Sequence, residues 1–324
     1  MRHYLVTGGA GFIGSHFIRS IFAKEKDIRV TCIDDFDPFY PSELKELNIC
    51  DFNDNPFFHL LRNDLSASSP KELGQLIKEP VDVIVHFAAK AGVRPSIENP
   101  LAYQQANVIG TQNLLEFAKE KRIKQFVFAS SSSVYGINDH FPWKEDEKLL
   151  PISPYAMTKL AGEMMGHVYN KLFGIRFIAL RFFTVYGPGQ RPDLAIHKFT
   201  KAILNDQPIT MYGDGSTSRD YTYVDDIIKG VQNAVEYDKS DFEIMNLGNS
   251  YSISLKQLIS AIEDVTGKKA TIKQLPEQAG DVPKTFADIT KAKNLLGYNP
   301  STRLEEGLKK FNKWFLENKE LLTK

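Results

Sequence analysis

The chain has 324 residues in which 40 Lys and Arg balance 40 Asp and Glu, so no net field draws it to nucleic acid or an anionic membrane, and an anionic ligand must be held by local groups. Two cysteines, Cys32 and Cys50, provide neither a metal spacing nor a disulfide framework, and the seven histidines include no HExxH pair, so no metal site is expected. The N-terminus lacks a signal-like apolar region and no run approaches the roughly 20 residues of a membrane span, which points to the cytoplasm.

The first strand, HYLVT, leads into VTGGAGFIG, where Gly9, Gly11 and Gly14 satisfy GxGxxG between a strand and a helix carrying Ile13, Phe17 and Ile21. Glycines permit the tight turn and let a pyrophosphate rest on the N–H groups of the helix N-terminus. The second strand, RVTCID, ends in Asp34 and Asp35. A carboxylate there can accept from the ribose hydroxyls of a dinucleotide, and two of them repel the extra phosphate of NADP, so NAD is the expected cofactor, with Asp35 available to cap the following turn. FFHLL, VDVIVHF, QFVFAS and RFIALR continue the strand pattern, and Asp64 after the third strand is placed either to meet the adenine or to form a turn. Strands alternating with helices predict an α/β fold, a Rossmann-like doubly wound parallel sheet.

The strongest helices are predicted at residues 98–120 and 153–174. In the second, Ser153 and Pro154 suit the cap and first turn, Gly174 the end, and Met157, Leu160, Ala161, Met164, Val168 and Leu172 form an apolar stripe, with the Met164–Met165 pair expected in the core. After Arg181 the chain turns to loops rich in Gly, Pro, Asp and Arg, predicting a smaller substrate-binding unit. The expected division is residues 1–181 with a returning segment at about 221–240, against 182–220 and 241–324. The last 21 residues predict a packed terminal helix.

The fifth strand runs into ASSSSVYG, a row of hydroxyls where no carboxylate stands. Tyr155 has Lys159 one helical turn on, in YAMTK. A free phenol has a pKa near 10, and lowering it by about 3 units takes roughly 4 kcal/mol. One ammonium about 4 Å away in an effective dielectric near 20 supplies about that much, so the pair predicts a proton acceptor for a sugar or alcohol hydroxyl.

TGGAGFIGSH, HFAAKAGVRPSIENP, SSSSVYG, YAMTK, RFFTVYGPGQRPD, GDGSTSRDYTYVDD and GDVPKTFADITKA together resemble the extended short-chain dehydrogenase/reductase family, and within it the UDP-glucuronate 4-epimerases, over nearly the whole chain. The resemblance implies Ser131, Tyr155 and Lys159 as catalytic residues, and NAD contacts from Gly8, Gly9, Gly11, Phe12, Ile13, Gly14, Asp34, Asp64, Leu65, Ala88, Ala89, Tyr155 and Lys159. It implies a UDP-sugar substrate held by Arg94, Ser132, Ser133, Thr184, Arg191, Tyr212, Arg219 and Asp281, although Gln278 stands where many relatives carry Arg. Ser133 replaces the acid that dehydratases and decarboxylases of the family present, and hydroxyls can hold a substrate carboxylate without repulsion, by Arg94 or by Arg191 as the cationic partner. A homodimer through the helices around 102–119 and 155–172 is also implied. The competing expectations are another nucleotide-sugar epimerase, dehydratase or decarboxylase, and an NAD-binding regulatory protein without turnover.

Overall fold

A computed structural model describes residues 1–276 and 282–322. In chain order the strands are β1 (Arg2–Thr7), β2 (Ile28–Asp34), β3 (Phe58–Arg62), β4 (Val83–His86), β5 (Gln125–Ser131), β6 (Arg176–Phe182), β7 (Thr184–Tyr186), β8 (Ile209–Tyr212), β9 (Ser218–Tyr223), β10 (Phe242–Leu247), β11 (Ser252–Ser254) and β12 (Ile272–Leu275). The helices are α1 (Phe12–Lys24), α2 (Ser42–Ile49), α3 (Pro70–Leu76), α4 (Val93–Glu98), α5 (Pro100–Tyr103), α6 (Gly110–Lys121), α7 (Pro154–Phe173), α8 (Ala195–Leu204), α9 (Val224–Val235), α10 (Leu255–Thr266), α11 (Thr290–Leu296), α12 (Leu304–Glu317) and α13 (Lys319–Leu322).

Seven strands form one parallel sheet in the order β10-β6-β5-β4-β1-β2-β3. Near-continuous apolar runs such as Phe126–Ala129 and Phe177–Leu180 are what a sheet covered on both faces demands. The order reverses at β1 and β4, so the crevice beyond their carboxyl ends is where a ligand of such a sheet binds. A three-stranded sheet, β11-β9-β7, and the pair β12-β8 build the remainder. The apolar core is continuous between the two parts, joining Tyr4 and Val30 to Phe199, Ile259 and Phe311.

Three sequence expectations change. β10 supplies the seventh strand of the large sheet, so the returning segment extends to Leu247, beyond the limit of 240. The helix predicted at 98–120 is interrupted at Asn99, whose side chain caps Ala102, and it widens into a π-helical turn over Gln104–Ile109. Most of the apolar stripe of α7 faces outward: Met164 is 49% exposed and Leu172 68%, with Met157 and Val168 also exposed, while Leu160 packs beside Tyr135 and Trp143. The inward face is small and polar, because Gly162 and Gly166 let the helix settle on Phe128 and Phe177, where an added Cβ would lie 2.3 and 2.2 Å from the rings. Met165 does pack on the core, so only half of the methionine pair fills it.

Candidate active site

The glycine loop fits a dinucleotide. A Cβ on Gly14 would lie 2.3 Å from the Gly8 carbonyl oxygen, and one on Gly8, at φ +70°, would lie 2.6 Å from the amide of Ala88. The loop therefore brings bare backbone to the mouth of the crevice, and no side chain caps α1, whose first N–H groups point there. Phe12 and Ile13 open the helix beside Gly9 and Gly11, and Ala88 and Ala89 follow β4 on the other side.

Asp34 ends β2 and is 5% exposed. Its Oδ2 accepts from the amide of Ala10 at 3.2 Å, and its Oδ1 accepts from Phe36 N and from Lys45 Nζ, both at 2.9 Å. Lys45, also buried, lies 3.8 Å from Asp35 as well. The two-carboxylate cluster read from sequence is thus partly neutralised by a lysine on α2 that no local pattern announced. Asp35 caps the turn through the amide of Asp37, as its alternative role anticipated. Asp64 is exposed and spends Oδ1 on Ser66, forming a turn, while Leu65 beside it is buried.

Ser131, the last residue of β5, pairs with Phe182 of β6, so Ser133 and Thr184 each lie two residues beyond the ends of neighbouring strands. Ser133 donates its hydroxyl to Ser131 Oγ at 2.9 Å. Tyr155 lies on the first turn of α7, near enough to Ser131 for its hydroxyl to lower the phenol's pKa. Lys159 is buried and donates to the Ala129 carbonyl at 2.7 Å, and burial pushes its pKa down to about 7. Burial raises the Tyr155 phenol above its ordinary value, while Ser131 and the nearby Arg191 guanidinium pull it down. Lys159 as the partner that lowers the phenol stays a proposal; its ammonium donates to the strand carbonyl, and the Arg191 guanidinium also pulls the phenol down.

Arg191 lies in the loop after β7, with Nε and Nη2 on the two carboxylate oxygens of Asp193 at 2.9 and 2.7 Å, and Nη2 also donating to Ala91 O at 3.3 Å. Arg94, on α4, lies over the Tyr212 ring at 5.2 Å. Arg219 stands on β9 and donates to the carbonyl of Ser218. Ser132 opens the turn after β5. Asp281 and Gln278 lie outside the described residues.

Sequence reasoning missed two buried networks. Thr7 donates to His86 Nδ1, His86 Nε2–H donates to Thr111, and Thr111 donates to the carbonyl of Asn107, which fixes a neutral ring. Asn107 donates in turn to Thr158, which donates to the Tyr155 carbonyl, so a hydrogen-bonded chain links the cofactor crevice to the first turn of α7. An Asn in mid-helix was the one signal available, since Asn is a weak helix former. The second network is the buried pair Glu163–Arg181, bidentate at 2.9 and 2.8 Å, with Ser130 donating to Glu163 and Arg181 donating to the Tyr135 hydroxyl. Among the described residues no cluster of His, Cys, Asp and Glu could hold a metal, and no helix is long and apolar enough to cross a membrane.

The family model described as GDP-mannose 4,6 dehydratase matches residues 5–311. A UDP-glucose epimerase of Bacillus subtilis, YtcB, named as uncharacterised, is 44% identical over 94% of this chain and 95% of its own. The UDP-glucuronate 4-epimerase of Thermodesulfobacterium geofontis is 39% identical over 99% of this chain and 98% of its own. The Bacillus cereus UDP-glucuronic acid 4-epimerase, solved with UDP-glucuronic acid and NAD, superposes with a TM-score of 0.90 at 40% identity, covering 97% of this chain and 99% of that one.

Proposed function

The chain belongs to the GDP-mannose 4,6-dehydratase family of extended short-chain dehydrogenases/reductases, and we propose that it is an NAD-dependent UDP-glucuronate 4-epimerase, converting UDP-glucuronate to UDP-galacturonate through a transient 4-keto sugar. The observation that carries this reading is the strand end itself: Ser131, Ser132 and Ser133, with Thr184 beyond the adjacent strand and Arg191 near Tyr155, offer hydroxyls and one guanidinium where a carboxylate would repel the sugar acid. NAD, once bound, would supply the hydride acceptor that the oxidation at C4 needs and the hydride source for its reversal.

The chain's own residues do the rest. Tyr155 takes the proton from the C4 hydroxyl and gives it back, and Ser131 orients the same oxygen. Lys159 would hold the nicotinamide ribose from the buried face of α7. Gly8, Gly9, Gly11, Phe12, Ile13 and Gly14 would carry the pyrophosphate, Asp34 the adenosine ribose, Asp64 and Leu65 the adenine, and Ala88 and Ala89 the stretch between. Arg94, packed on Tyr212, belongs with Arg219 at the nucleotide end, which leaves Arg191 for the carboxylate. Asp281 keeps its expected ribose contact as a proposal from motif position alone.

One feature favours a second reading, a neutral UDP-hexose: Arg191 already has Asp193 as a bidentate partner. Proton NMR of purified protein with UDP-glucuronate or UDP-glucose, without added NAD, separates the two; conversion of UDP-glucose alone would refute the sugar-acid reading. A clamp on the carboxylate also has a chemical signature. The 4-keto intermediate is a β-keto acid that loses CO2 when the bond from C5 to the carboxylate stands perpendicular to the carbonyl plane. Ser133→Ala or Thr184→Val should therefore release UDP-4-keto-pentose above the wild-type level by mass spectrometry, and rate loss with no such product would show that these hydroxyls only bind.

The assembly is proposed as a homodimer, supported by Ile97 and Leu101 and the outward stripe of α7, all apolar and exposed. Light scattering of Leu172→Asp protein tests it, since an unchanged mass would place the contact elsewhere. Free cysteines at Cys32 and Cys50 suit a reducing compartment, so the cytoplasm is the proposed location.

A further inference from the structure

The segment between β2 and α2, residues 35–41, carries an acidic and aromatic sequence, DFDPFYP; Arg62 at the end of β3 lies over its Phe36 ring at 3.8 Å, and three further cations hold it. Lys45 lies 5.6 Å from the rings of both Phe36 and Tyr40. Arg191 lies over Phe39 at 5.4 Å. Lys90 forms a hydrogen-bonded ion pair with Asp37.

The third contact is the informative one, because of where its ends are anchored. Asp37 follows the end of β2 and Lys90 follows the end of β4, and β1 lies between those two strands. Strands two places apart in a sheet are separated by about 10 Å. The ion pair therefore passes over the end of β1, above the Gly8–Gly14 loop, where a pyrophosphate would lie. Both ends are fixed at the backbone. Lys90 N–H donates to Asn107 Oδ1 at 2.7 Å and Asn107 Nδ2 donates to Lys90 O at 2.9 Å, while Asp37 Oδ1 accepts from Phe39 N at 3.0 Å. Phe36 holds φ at +54°, a left-handed conformation that a bulky side chain adopts only when its surroundings require it.

We infer that residues 35–41 form a strap across the bound dinucleotide, latched by Lys90 and Asp37, and that opening this latch sets how long the cofactor stays. The strap requires only the dinucleotide, so it holds for any UDP-sugar. It also gives the hydride cycle a physical basis for retention: a cofactor reduced in the first half-reaction must remain until it returns the hydride, and a cross-cleft ion pair obstructs its exit without touching the reacting atoms.

The test is cofactor exchange in purified holoprotein with no sugar present. Bound NAD is chased with isotope-labelled NAD and the remaining light form is followed by mass spectrometry. Lys90→Gln and Asp37→Asn should each speed release at least about tenfold, the scale of one charge-assisted hydrogen bond. The exchanged pair, Lys90→Asp with Asp37→Lys, should restore slow release. Added salt should accelerate release from the wild type more than from either single variant. Unchanged release in both single variants overturns the strap, and an exchanged pair as leaky as the singles overturns the latch. Absence of epimerase activity would leave this result standing, because the readout contains no substrate.

Discussion

Replacing Asp34 by Asn keeps the shape of the β2 end and removes one charge, and the structure turns that into a prediction about cofactor choice. Phe36 and Ala10 N–H now donate to different carboxylate oxygens, at 2.9 and 3.2 Å, so the single oxygen of Asn can keep only one of these bonds. What changes is the environment of Lys45, whose buried ammonium sits 2.9 Å from Asp34 and loses its main counter-charge. A 2′-phosphate about 5 Å from that point would shed a repulsion of about 3 kcal/mol per unit of phosphate charge at an effective dielectric near 20, more than a hundredfold in affinity. NAD, in contrast, loses charge-assisted bonds to its ribose, about 1.5 to 3 kcal/mol. The variant should hold less NAD as purified and should bind NADP, which the wild type should reject. Cofactor content after denaturation and calorimetric reloading with each dinucleotide measure both effects. Asp34→Asn combined with Lys45→Met separates the causes, because it should lose NAD without gaining NADP. Full NAD occupancy and continued rejection of NADP in Asp34→Asn would show that Asp34 does not face the ribose.

Tyr155→Phe removes the proposed proton acceptor and leaves Asp34 and the glycine loop unchanged, so turnover should fall at least about 100-fold while NAD stays bound, as single-turnover assays and cofactor content will show. His86 is held neutral, its pKa lowered to about 3 by burial and then by Lys159; the unfolded chain takes up that proton first, so stability should fall by about 1.4 kcal/mol per pH unit from pH 6.5 down toward 3, and urea unfolding of His86→Gln should lack that share of the slope. Glu163→Gln leaves Arg181 charged and buried, and should cost about 3 to 5 kcal/mol, about 4 to 7 °C in melting temperature for a chain of 324 residues; Glu163→Leu with Arg181→Met should melt higher than the single variant, and a lower melting point would contradict this account of the pair.

Much of the fold was legible because parallel strands buried on both faces leave an unmistakable apolar run, and all six strands expected from sequence in the first 182 residues are present in the large sheet. The cofactor loop was legible because close backbone approach demands glycine at fixed spacing. β10 was not, since Phe242–Leu247 mixes Glu and Asn into its run, and both are polar groups that tertiary partners satisfy: Glu243 pairs with Lys291 and Asn246 with Tyr135. Lys45, Asn107 and the Glu163–Arg181 pair were illegible for the same reason, because each becomes meaningful through a partner 11 to 51 residues away.

Helix α7 shows why periodicity misled at the element that carries the proposed proton acceptor. Its inward face carries Lys159, Glu163 and Asn170 among glycines and its outward face most of the apolar stripe, the reverse of an ordinary surface helix. The inward polar groups are each satisfied: Lys159 by the Ala129 carbonyl, Glu163 by Ser130 and Arg181, Asn170 by the carbonyls of Ile175 and Asp241. Two of those anchors, Ala129 and Ser130, immediately precede Ser131 on β5. The bonds that satisfy the buried face therefore also fix the helix carrying Tyr155 against the strand carrying Ser131. Glycines at 162 and 166 make the approach short enough for those bonds to form, since a Cβ at either would collide with Phe128 or Phe177. Polar specificity inside and apolar surface outside are thus two results of one arrangement: the inner face is committed to holding Tyr155 and Ser131, the proposed reacting residues, in place, and most apolar residues are left to the outer face, where a second copy of the chain is the proposed cover.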